Sequence, residues 1–560
     1  MGRTLLARLA CRHDPGAARW SRREFLAGVM AASAGALLSG ASGAASAQQP
    51  ERAAPLGGGK RVLVIGAGLA GLICAHELRA LGYEVLVLEG RRRVGGRVLS
   101  LTDVAPGAVV EGGGEWIGAN QPTWLAAAKR FGIELRPERE DEGLDSPVVL
   151  DGRRLSDEES ARLYDEMIQT LRSMDVDAAG VDADRPWLSP GAGELDGRSV
   201  ADWLASQGVT DLTRRAIRVQ LESNNGVALE AQSYLAQLAT VKGHGGSQYW
   251  TQTEVYRAAG GAQQLAEALA DAIGRERVRL GERVIRAAVA RGRAFVVNDR
   301  LERYEADEIV IATSPAMWDR MDLFPGRPLD FFPQMGPAVK LLATVERRFW
   351  LEEGQAPDGL SDGDVPMTWE ATGGQSTPLS VLTGFAGGPA ADRLRQLPEG
   401  PRERAGLAGL AAMYPGLAGQ RVRTRFMDWP TDRWTFGGYS FPAPGQVTGF
   451  GPLLHSPRGE PAVMHFAGEH CAYRAIGYME GALWSGVEVA RRIATRDGVI
   501  GVGAPMLSEP LQDDPPAVTP EGAPSPDPAQ APAGTPRGAG SAARLYRRGT
   551  ATRGTTTIDA

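Results

Sequence analysis

Three glycines stand at GxGxxG spacing in Gly66-Ala-Gly68-Leu-Ala-Gly71, and an acid, Glu89, follows at the end of the next apolar run. That pattern does phosphate chemistry. Gly66 permits a tight turn, Gly68 lets a pyrophosphate approach the backbone, and Gly71 lets a helix pack closely on a strand. Glu89 is placed to accept hydrogen bonds from a ribose. The fingerprint leaves NAD and FAD both open. A second residue stands out for its setting. Lys340 interrupts the apolar run Gly-Pro-Ala-Val-Lys-Leu-Leu-Ala-Thr-Val, in a chain whose other lysines are Lys60, Lys129 and Lys242. Burying a lysine unpaired costs on the order of several kcal/mol or forces it neutral, so it is either a functional group or an edge-strand lysine facing water.

These residues need elements to hold them. Residues 61–65 read as a buried parallel strand, 69–81 as an amphipathic helix stopped by Gly82, and 84–88 as a second strand ending in Glu89. The helix N-terminus presents free N–H groups and a partial positive charge to phosphate. Glycines cluster again in Arg91-Arg-Arg-Val-Gly95-Gly96-Arg97 and in Val110-Glu111-Gly112-Gly113-Gly114-Glu115-Trp116-Ile117-Gly118, implying close backbone approach to a ligand. Helical spacing marks 157–173, 199–207 and 213–222, a mostly helical insertion in which Glu158, Glu159 and Asp165 form a solvated face. A helix through Ile273 precedes strand-like runs at 278–280, 284–289, 294–297 and 308–312. Residues 330–428 alternate strands and turns. The spacing Met479, Ala482, Leu483, Gly486, Val487, Ala490, Ile493 predicts a helix packed on one side.

The chain has 560 residues, 43% hydrophobic and 23% charged, enough for two or more cores. A net charge of −6 gives no reason to expect a nucleic-acid partner. With Cys 3 there is no disulfide framework, and Cys74 reads as a small buried thiol. Near the N-terminus, Ser21-Arg22-Arg23-Glu24-Phe25-Leu26 is a twin-arginine pattern, followed by a weakly apolar stretch and Ala45-Ser46-Ala47 before Gln48. We expect 1–47 to be a cleaved twin-arginine signal peptide rather than a short membrane anchor. The Tat export machinery would then carry a protein already folded around its cofactor to the periplasm. Residues 48–59 are a linker. Residues 499–560, rich in Pro, Gly, Ala and Ser, are expected to form a disordered tail.

The motifs GAGLAGL, LEGRRRVGGR, EGGGEWIG, YRAAGGAQQL and FAGEH with GYMEGALWSG follow one another between residues 61 and 494. In this order they resemble the flavin-containing amine oxidase family, which includes monoamine, polyamine and putrescine oxidases and L-amino-acid oxidases. The resemblance implies an α/β fold. A Rossmann-type FAD-binding domain would be built from 60–137, 253–329 and 431–498, and an α+β substrate domain from 138–252 and 330–430. It implies FAD as cofactor. Glu89 would hold the adenosine ribose, with Arg91, Gly96 and Arg97 near the diphosphate and flavin and Val284 near adenine. Gly114, Glu115 and Trp116 would lie by the flavin, Trp116 stacking near it. Gly468 and Glu469 would sit on the ribityl chain. The helix starting near Tyr478 and Met479 would aim its N-terminus at the flavin C2=O/N1 edge, where reduced flavin carries negative charge. Gly438 stands where monoamine oxidases carry the cysteine that attaches flavin, so noncovalent FAD is expected.

Family chemistry passes hydride from the amine α-carbon to flavin N5. The imine is hydrolysed to aldehyde plus amine or ammonia, and O2 (giving H2O2) or a periplasmic electron carrier reoxidises the flavin. Such a site needs orientation and an apolar enclosure more than acid–base machinery. By resemblance, Tyr439 and Tyr478 form the aromatic pair that orients a primary or secondary amine, with Trp434 a third candidate. Lys340 would contact N5 through a water. No metal is implied. Gly118 occupies the place of a polyamine-oxidase glutamate. Glu370 could bind a second ammonium, or be merely solvated. An L-amino-acid oxidase would need a cation for the carboxylate, and Arg474 is a candidate, although Gly118-Ala-Asn-Gln-Pro-Thr-Trp124 lacks an Arg. A desaturase of the same superfold and a non-catalytic flavin-binding module are the remaining readings. Which amine is oxidised, and whether the enzyme is a homodimer, stay open at this point.

Overall fold

A computed structural model describes residues 57–137, 144–290, 293–325, 332–459 and 461–508. A five-stranded parallel sheet carries the fingerprint, with strands in the order Met464–Phe466, Glu308–Ile311, Arg61–Ile65, Glu84–Glu89, Val278–Leu280. Its strands are drawn from three distant stretches of chain. Alternation along Arg61–Ile65 explains its two covered faces. Val62 and Val64 pack with Leu72, Ile73, Leu483 and Val487 on the helix side. Leu63 and Ile65 point the other way, against Ala287, Val289 and Val296. The latter belong to a four-stranded sheet of Arg303–Ala306, Arg293–Asn298, Val284–Ala290 and Asp322–Phe324.

The helix Leu69–Ala80 is crossed closely by Met479–Arg496. A Cβ on Gly486 would stand 2.3 Å from the Ala70 carbonyl oxygen, so the contact requires the bare backbone. Glu480, buried in the first turn of the later helix, accepts from the amides of Thr123 (3.0 Å) and Trp124 (2.8 Å). It thereby caps the helix Pro122–Phe131, whose own N-cap residue, Gln121, makes no side-chain capping bond and instead donates to the Thr253 carbonyl (3.3 Å).

The second half is a seven-stranded sheet, ordered Arg423–Asp428, Ala338–Val345, Ser380–Gly387, Met367–Glu370, Gly359–Ser361, Val148–Leu150, Arg153–Arg154. Helices between residues 157 and 252 cover one face. Asp157–Arg172 starts with a capping box, Ser156 accepting from the Glu159 amide and Glu159 from that of Ser156. Glu159 therefore terminates the helix as well as facing solvent.

Residues 499–508, expected to open the tail, are instead docked. Met506 and Ser508 are buried, and the amides of Leu507 (2.9 Å) and Ser508 (2.7 Å) donate to buried Glu77. A carboxylate on the first helix has to be satisfied, and this segment supplies the donors. The expected signal peptide, most of the linker and the rest of the tail lie outside the described residues. Among the described residues, no helix is long and apolar enough to cross a membrane.

Candidate functional site

The glycine turn has the geometry its spacing demands. Gly66 sits at φ +109°, and a Cβ there would stand 2.7 Å from the Ala312 carbonyl oxygen. A Cβ on Gly71 would lie 2.1 Å from the Gly66 oxygen, so helix and turn are in backbone contact and Gly71 works behind the cavity, not on it. A Cβ on Gly68 would meet nothing within 4 Å. Gly68 thus presents bare backbone to open space at the start of a helix, as an anion site requires.

That space is one long cavity. Its wall includes Glu89, Arg91, Val284 and Trp434, with Gly68, Gly96, Arg97, Gly468 and Glu469, and Gly114, Lys340, Tyr439, Tyr478 and Met479. Buried Glu89 accepts from the amides of Ala67 (2.7 Å) and Arg91 (2.8 Å), one on each oxygen, which fixes the carboxylate and leaves each oxygen a further lone pair. Arg91 forms a buried bidentate pair with Asp432, at 2.7 and 2.5 Å. Glu469 is a hub: it accepts from Arg97 (2.7 Å), from the Ser440 hydroxyl (2.6 Å) and from the Gly477 amide (2.9 Å). Burial opposes its charge, but the Arg97 guanidinium and these donors hold its carboxyl below the usual range. Glu469 therefore ties together the stretches that meet at the cavity.

Lys340 is not an edge residue. Its strand lies between Ser380–Gly387 and Arg423–Asp428, and its side chain is buried. The ammonium donates to the carbonyls of Glu111 (3.0 Å) and Gly113 (2.8 Å) and to Glu115 (2.8 Å). All three N–H groups are thus engaged, so Lys340 clamps the glycine ridge 111–115 from beneath, and a bridging water would have to share one of these protons.

Two expectations for this ridge are corrected. Glu115 does not line the cavity. It faces away, to Lys340, Arg257 (3.2 Å) and the Trp369 indole N–H (3.0 Å). Trp116 does not stack at the cavity either. Its ring lies 4.1 Å from the Arg257 guanidinium carbon and edge-on to Trp369. Of Gly114, Glu115 and Trp116, only Gly114 lines the cavity, where Met479 packs against it, while Glu115 and Trp116 both turn to Arg257 and Trp369.

Trp434 is also relocated. A Cβ on Gly90 would stand 2.3 Å from its ring, so Trp434 packs on the backbone that follows Glu89. Both tyrosines do line the cavity. The Tyr439 hydroxyl donates to the Ser223 carbonyl (2.6 Å), and that of Tyr478 to the Tyr249 hydroxyl (3.2 Å). Burial pushes both phenols far above their ordinary value, so both stay neutral. His244, 5.0 Å from the Tyr478 ring, is pushed down to about 4 by burial and is neutral too.

Glu370 and Arg474 are elsewhere. Glu370 is buried, accepts from Arg348 (2.8 Å) and the Thr372 hydroxyl (2.9 Å), and lines a different cavity. Arg474 pairs with Asp184 (3.3 Å) and is not on the cavity wall. Cys74 and Cys471 are buried thiols, pushed up by burial, and neither lines the cavity. Among the described residues no cluster suited to a metal is present. Asp432, Ser440, Tyr249 and His470 belong to the site without having been expected there. Only His470, next to Gly468-Glu469, carried a motif signal.

The wall also shows what it is built to receive. The Thr313 hydroxyl, the Trp434 indole N–H and both ring nitrogens of His470 are buried at the cavity with no partner in the protein. A dinucleotide with a polar ring system supplies donors and acceptors along that length, and Gly68 leaves room for its pyrophosphate. The residues present fit FAD.

Comparisons with known proteins agree. The family model described as flavin containing amine oxidoreductase matches residues 69–494. An L-amino acid dehydrogenase of Synechocystis sp. is 28% identical over 450 residues, covering 77% of this chain and 94% of that protein. The putrescine oxidase of Kocuria rosea is 28% identical over 469 residues, covering 79% and 95%. The solved structure of cyclohexylamine oxidase from Brevibacterium oxydans IH-35A superposes with TM-score 0.71 at 30% identity, covering 78% and 99%.

Proposed function

The chain belongs to the flavin-containing amine oxidoreductase family, binds FAD and is an oxidoreductase acting on CH–NH groups; from that premise we propose that it oxidises a primary or secondary amine to the imine, which water converts to the aldehyde. The carrying observation is that Tyr478, buried, and Tyr439, half-buried, both neutral and tied down at their hydroxyls, share one cavity with the Gly68 turn and Lys340. Bound FAD supplies the hydride acceptor. The protein's share is placement. Two rings anchored to Ser223 and Tyr249 restrict the amine, and their neutrality favours the neutral amine that hydride loss requires. Lys340 holds the ridge bearing Gly114. The N-terminus of Met479–Arg496 adds a partial positive charge to the cavity.

FAD is held noncovalently in this reading. Gly438 offers no sulfur, and a Cβ there would already stand 2.5 Å from Ala338. Yellow colour remaining on acid-precipitated protein would count against it. The twin-arginine pattern supports export of the loaded enzyme to the periplasm, where O2 or an electron carrier takes the electrons. Fractionation of the mature protein with the cytosol, in cells with the Tat pathway intact, would exclude that.

An amino-acid substrate is the second reading, favoured by the Synechocystis relative. It is weakened by Arg474, which is paired with Asp184 off the cavity wall. Trapping the carbonyl product with an aryl hydrazine separates the two. Aldehydes from amines support the proposal, and 2-oxo acids from amino acids alone overturn it.

A further inference from the structure

Arginines gather at a second depression that adjoins the FAD cavity. Its wall carries Arg91, Arg92, Arg93, Arg283, Arg320 and Arg433 against one acid, Asp299. Gly90, Arg91, Arg283, Met317 and Trp434 line both spaces, so the two share a side. The volume, about 660 Å³, is that of a ligand pocket rather than of a single-ion site.

Two of these guanidinium groups are occupied within the protein. Arg91 is held by Asp432, and Arg93 donates to the carbonyls of Val94 (3.1 Å), Gly96 (2.8 Å) and Val98 (3.1 Å). Arg92, Arg283, Arg320 and Arg433 are exposed. Among the described residues no acid pairs with Arg92, Arg283 or Arg320. Arg320 lies 3.7 Å from the Phe436 ring centre and donates to the Ala316 carbonyl (3.3 Å), contacts that leave its charge uncompensated. These side chains come from four separate stretches of chain, so the fold brings them together, not a run of like residues.

Solvated arginines are ordinary on a surface, and a contrast within the molecule separates that reading from a functional one. Another depression, lined by Arg61, Arg79, Arg277, Arg279 and Arg303, also carries Glu84 and Glu305, and Arg61 and Arg303 are paired with these acids at 3.8 and 3.2 Å. There much of the charge is answered in place. Beside Trp434 it is left for an anion from solvent. The adjoining cavity identifies that anion, because the residues there fit FAD, whose diphosphate is negative. The chain as a whole, at −6, repels such a molecule. A concave wall of one sign focuses its field and speeds the arrival of an oppositely charged ligand by about 10- to 10³-fold.

We propose that this depression captures FAD during loading: Arg92, Arg283 and Arg320 draw the diphosphate in from solvent, and the cofactor passes along the shared wall into the cavity. Arg92 and Arg320 line the depression but not the FAD cavity, so they act on arrival and not on the seated cofactor. Charges at such a rim set the association rate and its salt dependence, and leave release largely unchanged.

The test mixes FAD with apoprotein of the full chain and follows flavin fluorescence, giving association and release rates at several salt concentrations, with circular dichroism as the check on folding. Wild-type association should slow by about tenfold or more between about 0.02 and 0.5 M NaCl. At low salt R92E should associate about threefold more slowly than the wild type and R92E/R320E about tenfold more slowly, with release within about twofold of the wild type. R79E makes the same charge change on the other depression and should associate like the wild type. Association that ignores salt, an R92E/R320E variant as fast as the wild type, R79E as slow as R92E, or a defect confined to release overturns the proposal.

Discussion

Replacing Lys340 by Met tests the clamp beneath the cavity. The ammonium satisfies two backbone carbonyls and Glu115, at 3.0, 2.8 and 2.8 Å. Methionine keeps the length and removes every donor. Breaking a buried ion pair costs about 3–5 kcal/mol, because the surviving charge is stranded. Glu115 is not wholly stranded, since Arg257 (3.2 Å) and the Trp369 N–H (3.0 Å) remain. The lower end, roughly 3 kcal/mol, therefore applies. Adding E115Q removes the stranded charge, so K340M/E115Q should regain roughly 2 kcal/mol relative to the sum of the single variants. Urea unfolding of all four proteins, followed by flavin fluorescence and circular dichroism, measures the cycle. Amine turnover should fall by about tenfold or more in K340M, because the ridge bearing Gly114 is released. Additive stabilities, or K340M unfolding at the wild-type urea concentration, would refute the clamp.

Gly68→Val should fold, since the site has space and an ordinary φ, yet lose FAD affinity by about 100-fold or more, read by flavin titration of the apoprotein. Glu469→Gln strips Arg97 of its charged partner and should shed FAD on gel filtration under conditions where the wild type retains it. Stability should fall as pH drops through about 4.5 towards 4. Burial lowers His76, His244, His455 and His470 to about 4, and His465 is lowered too, so in that window the unfolded chain binds protons that the folded one refuses. Each such group contributes up to roughly 1.4 kcal/mol per pH unit, full above the unfolded value and lost on acidification. Glu111, raised to about 7, and Glu254, raised to about 8, pull the opposite way, their folded forms holding protons that the unfolded chain releases. Burial raises Glu77, Asp184, Glu370 and Glu480 as well, so six acids oppose the five histidines above the unfolded carboxyl value of about 4.5. Below it that opposition ends and the histidine loss acts, joined by the depressed Glu115 and Glu469, so a thermal melt series that stayed flat or rose between about pH 4.5 and 4 would contradict this sum.

Local patterns were readable from sequence because they encode local geometry. The glycine spacing indicates the turn, and short apolar runs indicate the strands of the parallel sheet. The helix predicted at 69–81 is observed as Leu69–Ala80. What escaped was set by partners far along the chain. Asp432 answers Arg91 across the fold, and no motif links them. Lys340 was recognised as unusual, but its acceptors are mainly carbonyls of a glycine ridge, which no side-chain pattern announces. The resemblance implies Glu115 and Trp116 by the flavin, but partners far along the chain, Arg257 and Trp369, turn both away from the cavity. Glu254 sits among ordinary polar residues in sequence, and only the fold shows that it is buried without a partner. The docking of residues 499–508 depends on Glu77, whose need for donors is equally invisible locally.

The most direct measurement is anaerobic reduction of the FAD-loaded enzyme, followed by loss of the oxidised flavin absorbance, against mono- and diamines and amino acids. The account predicts rapid bleaching by amines and a marked slowing when Tyr439 or Tyr478 is replaced by leucine. Bleaching by amino acids alone, or leucine variants as fast as the wild type, would contradict it.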